Sequence, residues 1–315
     1  MTQGDPAQRN NNSERRAAAR DKARALREAH RKQERRRKAV VRSTVIALVV
    51  AAAAVVAVVI VSSIHTTSRG PANMASDGIL IGTGLKAKRT PAADANAKPV
   101  SNKTDASSGK VSIVTYVDYL CPYCGTFERT NAAQIGKLVK SGAATVEIHP
   151  IPLLASHSAG TKYSLRADNA AACLANYAPD SFWTFNRELF ENQPEENTAG
   201  LTNQQLKSLV KKALTTKAGT GSYDSVSKCI DEGRYDTWAQ NALDRTLTGP
   251  IPNSSVKQLK GTPLVLVNGK QYQGALDDAD EFRAFIVKAQ ADTYSTPTPT
   301  PVPTGSPTPT ATKAG

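Results

Sequence analysis

A run of β-branched and apolar residues, Val111–Val117, is followed after three residues by Cys121-Pro122-Tyr123-Cys124. The run has the composition of a buried strand. Beyond the second cysteine, Phe127, Ile135, Leu138 and Val139 fall near one face of a helix, and Lys140-Ser141-Gly142 supplies a stop. The junction of strand, cysteine pair and helix constrains this chain more than any other feature. A cysteine at a helix N-terminus meets unpaired backbone N–H groups and the positive end of the helix dipole. Both favour thiolate over thiol, so Cys121 is expected to ionise easily and act as a nucleophile. Pro122 fits the first helical position, where its missing N–H costs nothing. Cys124, one turn on, can close a disulfide with Cys121 and resolve a mixed disulfide formed there.

Two other uses of such a pair are weaker. Half of a zinc site needs a second closely spaced pair of ligands. Cys173 and Cys229 are far apart in sequence and have no histidine in ligand spacing, so no metal or other cofactor is expected. A purely structural bridge between such near neighbours would constrain little chain. The four cysteines permit three connectivities and suit an oxidising compartment.

The formal charge of +13 over 315 residues suggests a nucleic acid or an anionic membrane as partner. Its placement argues against the first. Residues 1–42 contain 14 Lys/Arg and 5 Asp/Glu, leaving a net +4 for the rest of the chain. That basic segment reads as a helix lying near anionic lipid, with no interleaved aromatics and no folded reader of bases. Residues 43–64 then carry no formal charge and are dominated by Val, Ala, Ile and Leu. A bilayer core needs about 20 such residues in a helix. Five Lys/Arg between Arg35 and Arg42 precede the run and only Arg69 follows closely, which places the N-terminus in the cytoplasm and the remainder outside. A cleaved signal peptide is the alternative, disfavoured by the long preceding region and the lack of a small-x-small site.

After the span, residues 65–77 read as a polar linker, 78–82 as a brief strand and 83–109 as a loop. From Ser295 the chain alternates threonine and proline, a composition that favours an extended, disordered spacer.

Four pieces of sequence carry a family resemblance. They are Val117-Asp118-Tyr119-Leu120-Cys121-Pro122-Tyr123-Cys124, the second strand Ala144-Thr145-Val146-Glu147-Ile148-His149-Pro150-Ile151-Pro152, the aromatic stretch from Ser181 to Phe190, and Gly261-Thr262-Pro263-Leu264-Val265-Leu266-Val267-Asn268-Gly269-Lys270. In this order they resemble the DsbA-like branch of the thioredoxin superfamily, in its membrane-anchored Gram-positive or actinobacterial form. The resemblance implies an α/β thioredoxin-like fold with an inserted α-helical domain, preceded by a single transmembrane helix. The resulting division is a basic cytoplasmic segment 1–42, a transmembrane helix 43–64, a linker 65–77, and a first thioredoxin-like part 78–155. A helical insertion 156–255, a second thioredoxin-like part 256–291 and a Thr/Pro-rich disordered tail 292–315 complete it. Within the insertion, helices are expected over 160–177, 181–192, 202–216, 222–232 and 234–247. A hairpin is expected over 263–268 and 271–274 around Asn268-Gly269, a strong two-residue turn signal.

By the same resemblance Cys121 and Cys124 are the catalytic pair, supported by Pro122, Tyr123, Asp118, Thr262 and Pro263. The Thr262–Pro263 peptide bond is expected to be cis and to face the cysteines, exposing backbone to an extended substrate. Many relatives resemble one another in a buried glutamate six residues before the first cysteine; here that position is Thr115, which cannot titrate, and Asp118 or a water is the candidate substitute. Cys173 and Cys229 fall in the insertion and are expected to form a structural disulfide. The implied activity is an extracytoplasmic disulfide-introducing oxidase acting on exported cysteine-containing proteins. A DsbB- or VKOR-like membrane reoxidase would restore it. The alternatives are an exported reductase or isomerase, for example in cytochrome maturation, and a non-catalytic peptide-binding module. Thr262 occurs in oxidases, isomerases and reductases alike and does not fix the direction of electron flow.

Overall fold

The computed structural model describes residues 69–102, 109–215 and 223–295. The expected basic segment and transmembrane helix, and the Thr/Pro tail beyond Ser295, lie outside them. Among the described residues no helix is long and apolar enough to cross a membrane.

Seven residues, Val111–Val117, form the central strand β3 of a six-stranded sheet. In chain order the strands are β1 (Ile79–Gly82), β2 (Lys86–Ala87), β3, β4 (Ala144–Pro150), β5 (Leu264–Val267) and β6 (Lys270–Gln271). Their spatial order is β2-β1-β4-β3-β5-β6. β3 runs parallel to β4, with Val111 opposite Ala144 and Val117 opposite Pro150, and antiparallel to β5. Parallel strands need a crossover, and helix α1 (Pro122–Ser141) supplies it. Gly142 ends α1 in the left-handed conformation (φ 85°), and its N–H returns to the Val139 carbonyl. β3, covered on two faces, reads as an almost continuous apolar run, whereas β4 carries Thr145, Glu147 and His149 among its apolar residues.

Among the described residues, five α-helices stand between β4 and β5: α2 (Tyr163–Tyr177), α3 (Phe182–Glu191), α4 (Asn203–Thr215), α5 (Tyr223–Asp231) and α6 (Asp236–Thr248). α2 is their hub. Ala167, Ala170, Ala171, Ala172 and Ala175 are wholly buried along it. Small side chains on all sides let neighbouring helices approach closely. The principal core runs from Ile113 and Val146 of the sheet through Phe127 and Ile135 of α1 to Phe182 and Phe185 of α3. A smaller core of Tyr116, Ile151, Ile251, Leu259, Leu264 and Leu266 lies apart from it. Cys173 of α2 and Cys229 of α5 form a disulfide with Cα atoms 5.8 Å apart. Closing a loop of this length stabilises by about 4 kcal/mol in the chain-entropy description.

Two segments depart from the sequence reading. Residues 69–77 are not a tether but part of the fold. Met74 is buried, Asn73 donates to the Ala175 carbonyl at 2.8 Å and accepts from Thr90 N–H, and Asp77 makes two 2.7 Å bonds with Arg245. Short polar side chains here bridge backbone groups of distant elements, so a composition that looks like linker is packed. The loop expected over 83–109 likewise contributes β2, and Val100 N–H bonds back to Ala75. At the other end, α7 (Ala279–Ser295) runs into the stretch assigned to the tail and packs Phe282 against Phe127 at a 5.1 Å centroid distance.

Behind the packed N-terminal segment lies a buried polar cluster. Glu147 of β4 accepts from Ser76 (2.5 Å) and Asn102 (2.9 Å) and lies 3.2 Å from His149 Nε2. Burial alone would raise its pKa, but His149, Ser76 and Asn102 together outweigh it and hold the carboxyl below its ordinary 4.5. A depressed carboxylate stabilises above its unfolded pKa, and the contribution disappears as pH falls through the folded value. The Glu147→Gln variant should therefore be less stable than the parent by about 1–3 kcal/mol at neutral pH. Denaturant unfolding should show that gap closing as pH falls below the ordinary carboxyl value of 4.5; a gap independent of pH would contradict the assignment.

Candidate active site

The site is built where β3 hands over to α1. Asp118, the first residue after the strand, turns its carboxylate back into the protein. Its Oδ1 accepts from Leu120 N–H (2.7 Å) and the Ser164 hydroxyl (2.8 Å), and its Oδ2 accepts from Leu154 N–H (2.7 Å). Three elements are thereby joined: the cysteine turn, the segment after β4 and the start of α2. The Cys121 N–H closes the turn onto the Asp118 carbonyl at 3.1 Å. Burial pushes the Asp118 carboxyl up to about 6, against the pull of the Leu154, Leu120 and Ser164 bonds.

Cys121 occupies the N-cap position of α1 with extended backbone (φ −69°, ψ 117°), and Pro122 opens the helix. The Cys121 carbonyl accepts the Gly125 N–H, the first helical bond. No acidic residue lies in the first turn to oppose a thiolate there. Cys121 and Cys124 are free, buried thiols. The Cys121 thiol is lowered from 9.0 to about 6, chiefly by the Cys124 thiol, with further help from Thr262 and the backbone N–H groups of Cys124 and Tyr123, while burial opposes. Cys124 is fully buried, and that burial together with the neighbouring Cys121 pushes its thiol well above the usual value. The Asp118 N–H points at Cys124 Sγ at 3.5 Å. The pair is thus split into one easily ionised sulfur and one that holds its proton.

The structure brings Thr262, Pro263 and Tyr123 to the same place and leaves Cys173 and Cys229 elsewhere. Thr262–Pro263 is a cis peptide bond, and the Cys121 thiol donates to the Thr262 carbonyl at 3.2 Å. Tyr123 is 68% exposed beside the cysteines. Cys173 and Cys229 lie in the helical insertion, bonded to each other. Thr115 sits in β3, 1% exposed, with its hydroxyl lacking a hydrogen-bond partner among the described residues.

Sequence reading missed the residues that tie the insertion to the turn. Gln193, just after α3, donates to the Cys121 carbonyl (2.8 Å) and the Tyr119 carbonyl (3.2 Å). Its side chain and that of Arg129 fill the space beside Gly125, where any Cβ would collide with them. A glutamine in a polar loop gives no signal of this kind. Ser164 is equally silent. Asn186 links the Tyr119 hydroxyl to the Glu128 carboxyl, which burial raises to about 7. Asp168 lies one helical turn beyond Ser164, both its oxygens buried without a partner among the described residues. Burial, together with Asp118 and Asp236, raises its carboxyl far above the ordinary value.

Comparison with known proteins bears on the same region. Residues 104–288 match the family described as Thioredoxin. The chain is 25% identical over 192 residues to disulfide bond formation protein D of Bacillus subtilis, covering 61% of this chain and 76% of that protein. It is 31% identical over 148 residues to the serine/threonine-protein kinase PknE of Mycobacterium tuberculosis, 46% of this chain. The chain spans only 25% of that kinase's length. Among solved structures, oxidised DsbA of Mycobacterium tuberculosis has a TM-score of 0.49 at 26% identity, covering 68% of this chain and 93% of that one.

Removing the Asp118 carboxylate should release the turn. Asp118→Ala leaves two buried N–H groups and a hydroxyl unpaired, so a loss of about 3–5 kcal/mol is expected in denaturant unfolding. Ser164→Ala removes a single bond and should cost about 1 kcal/mol. Equal losses for the two variants would show that Asp118 does not clamp the turn.

Proposed function

Because the chain belongs to the thioredoxin family, as the match over residues 104–288 shows, we propose that it is a thiol–disulfide oxidoreductase working outside the cytoplasm as an oxidase. The observation that carries this reading is the split between the two sulfurs, Cys121 lowered to about 6 and Cys124 raised. A thiolate stabilised in the reduced dithiol makes that form the stable one, and so makes the disulfide form a strong oxidant.

The reaction follows from that asymmetry. A substrate thiolate attacks Cys121 of the Cys121–Cys124 disulfide. A substrate–Cys121 bond forms, the intramolecular bond breaks, and Cys124 leaves as thiolate and takes a proton. The substrate's second thiolate then attacks its own sulfur in the mixed disulfide and releases Cys121 as thiolate. The substrate loses two electrons and the cysteine pair gains them. Reoxidation falls to a membrane partner, with a DsbB- or VKOR-like protein as the candidate.

The uncharged run 43–64 with its basic N-terminal flank supports a single-pass anchor and an exported catalytic domain. The Cys173–Cys229 disulfide suits the same oxidising compartment. The name of the Bacillus relative, a disulfide bond formation protein, favours oxidation over reduction. Anchoring would hold the site near emerging substrates and near its reoxidant.

Redox equilibration against glutathione tests the direction. A potential near about −120 mV is expected, whereas one near about −270 mV would assign the chain to reduction. In parallel, Cys124→Ser should accumulate substrates disulfide-bonded to Cys121; a complete absence of such adducts would point to a peptide-binding module.

A further inference from the structure

A groove of about 630 Å³ opens beside the catalytic turn. That volume lies within the range of about 300–1,000 Å³ that takes a drug-sized ligand or a few residues of extended chain. Pro263 forms part of its wall. Pro263 is bonded to Thr262, whose carbonyl lies 3.2 Å from Cys121 Sγ. The groove therefore begins one residue from the nucleophile. It is within reach of a flank of a polypeptide whose sulfur is joined to Cys121.

The lining has a definite sign. Lys257 and Lys260 stand on the segment before Thr262, and Gln271 and Gln273 face them from the region of edge strand β6. No carboxylate lines the groove. Both lysines are exposed, and neither forms a salt bridge among the described residues. Lys270 nearby differs, since Asp292 neutralises it at 2.6 Å. Val256, Leu259 and Leu264 give the groove an apolar side, while the two uncompensated ammonium groups and the amides make its polar side one that suits carboxylate side chains.

We infer that this groove selects substrates, and that the chain oxidises most rapidly those cysteines flanked by aspartate or glutamate. The inference rests on the oxidase reading above and names its substrate class. The long side chains of Lys257 and Lys260 bring positive charge to a flank held in place by the mixed disulfide. Attraction there raises the rate of encounter and steadies the intermediate.

The test uses the oxidised full chain and three dithiol peptides of equal length, with glutamate, glutamine or lysine on both sides of each cysteine. Each rate is divided by that peptide's rate with hydroxyethyl disulfide, which removes the effect of flanking charge on the peptide thiol itself. At low salt the glutamate peptide should react about 10-fold faster than the lysine peptide, and the ratio should collapse at about 1 M salt, where the screening length is about 3 Å. Lys257→Glu combined with Lys260→Glu should reverse the order. Lys211→Glu combined with Lys288→Glu changes the net charge equally, away from the groove, and should leave the order intact. Equal normalised rates for all three peptides, or reversal by both double variants, would overturn the inference. The rate with dithiothreitol separates it from the underlying reading: if dithiothreitol too fails to be oxidised, it is the oxidase assignment that fails.

Discussion

The stabilisation of one sulfur over the other at the start of α1 is the interaction on which the rest of the structure depends. It needs the Cys121 sulfur to sit at the helix N-terminus, within reach of the Cys124 thiol and of Thr262. The first two come from adjacent residues, and the third needs the whole sheet. β3 must arrive from the sheet in register with β4 and β5, so that Thr262, just before β5, meets the turn. The turn must also be held against thermal motion, and a buried carboxylate does that by accepting two backbone N–H groups and a hydroxyl. Asp118 is thus a positioning residue whose effect on the sulfurs is transmitted through backbone.

The helical insertion serves the same end. α2 delivers Ser164 to the Asp118 carboxylate, and the chain after α3 delivers Gln193 to the Cys121 carbonyl. The disulfide between α2 and α5 ties part of that insertion together from within a fully buried position. Distant segments therefore share one catalytic turn, and loosening the insertion would loosen the site.

Much of this was legible in the sequence where the signal is local. A β-branched run followed by Cys-Pro-x-Cys and a helical period identifies β3, the turn and α1, because each depends on the properties of adjacent residues. Asn268-Gly269 marks the hairpin for the same reason: both residues adopt positive φ. What escaped is non-local. Asn73, Asp77, Ser164 and Gln193 are short or polar side chains that act by bonding groups a long way off in sequence; composition assigns three of them to loops, and a helical period places Ser164 without showing its partner. Thr115 is the converse case. The strand containing it was evident, but that its hydroxyl lies buried with no partner among the described residues needed the fold.

The account's central claim is the acidity of a single group, and it can be read directly. The thiolate absorbance of the reduced full chain, followed against pH with Cys124 replaced by serine as a control for assignment, reports the ionisation of Cys121. An inflection near pH 6 is the result the structure requires. An inflection near the ordinary thiol value of 9.0 would show that the turn does not stabilise the thiolate, and would remove the basis for an oxidising cysteine pair.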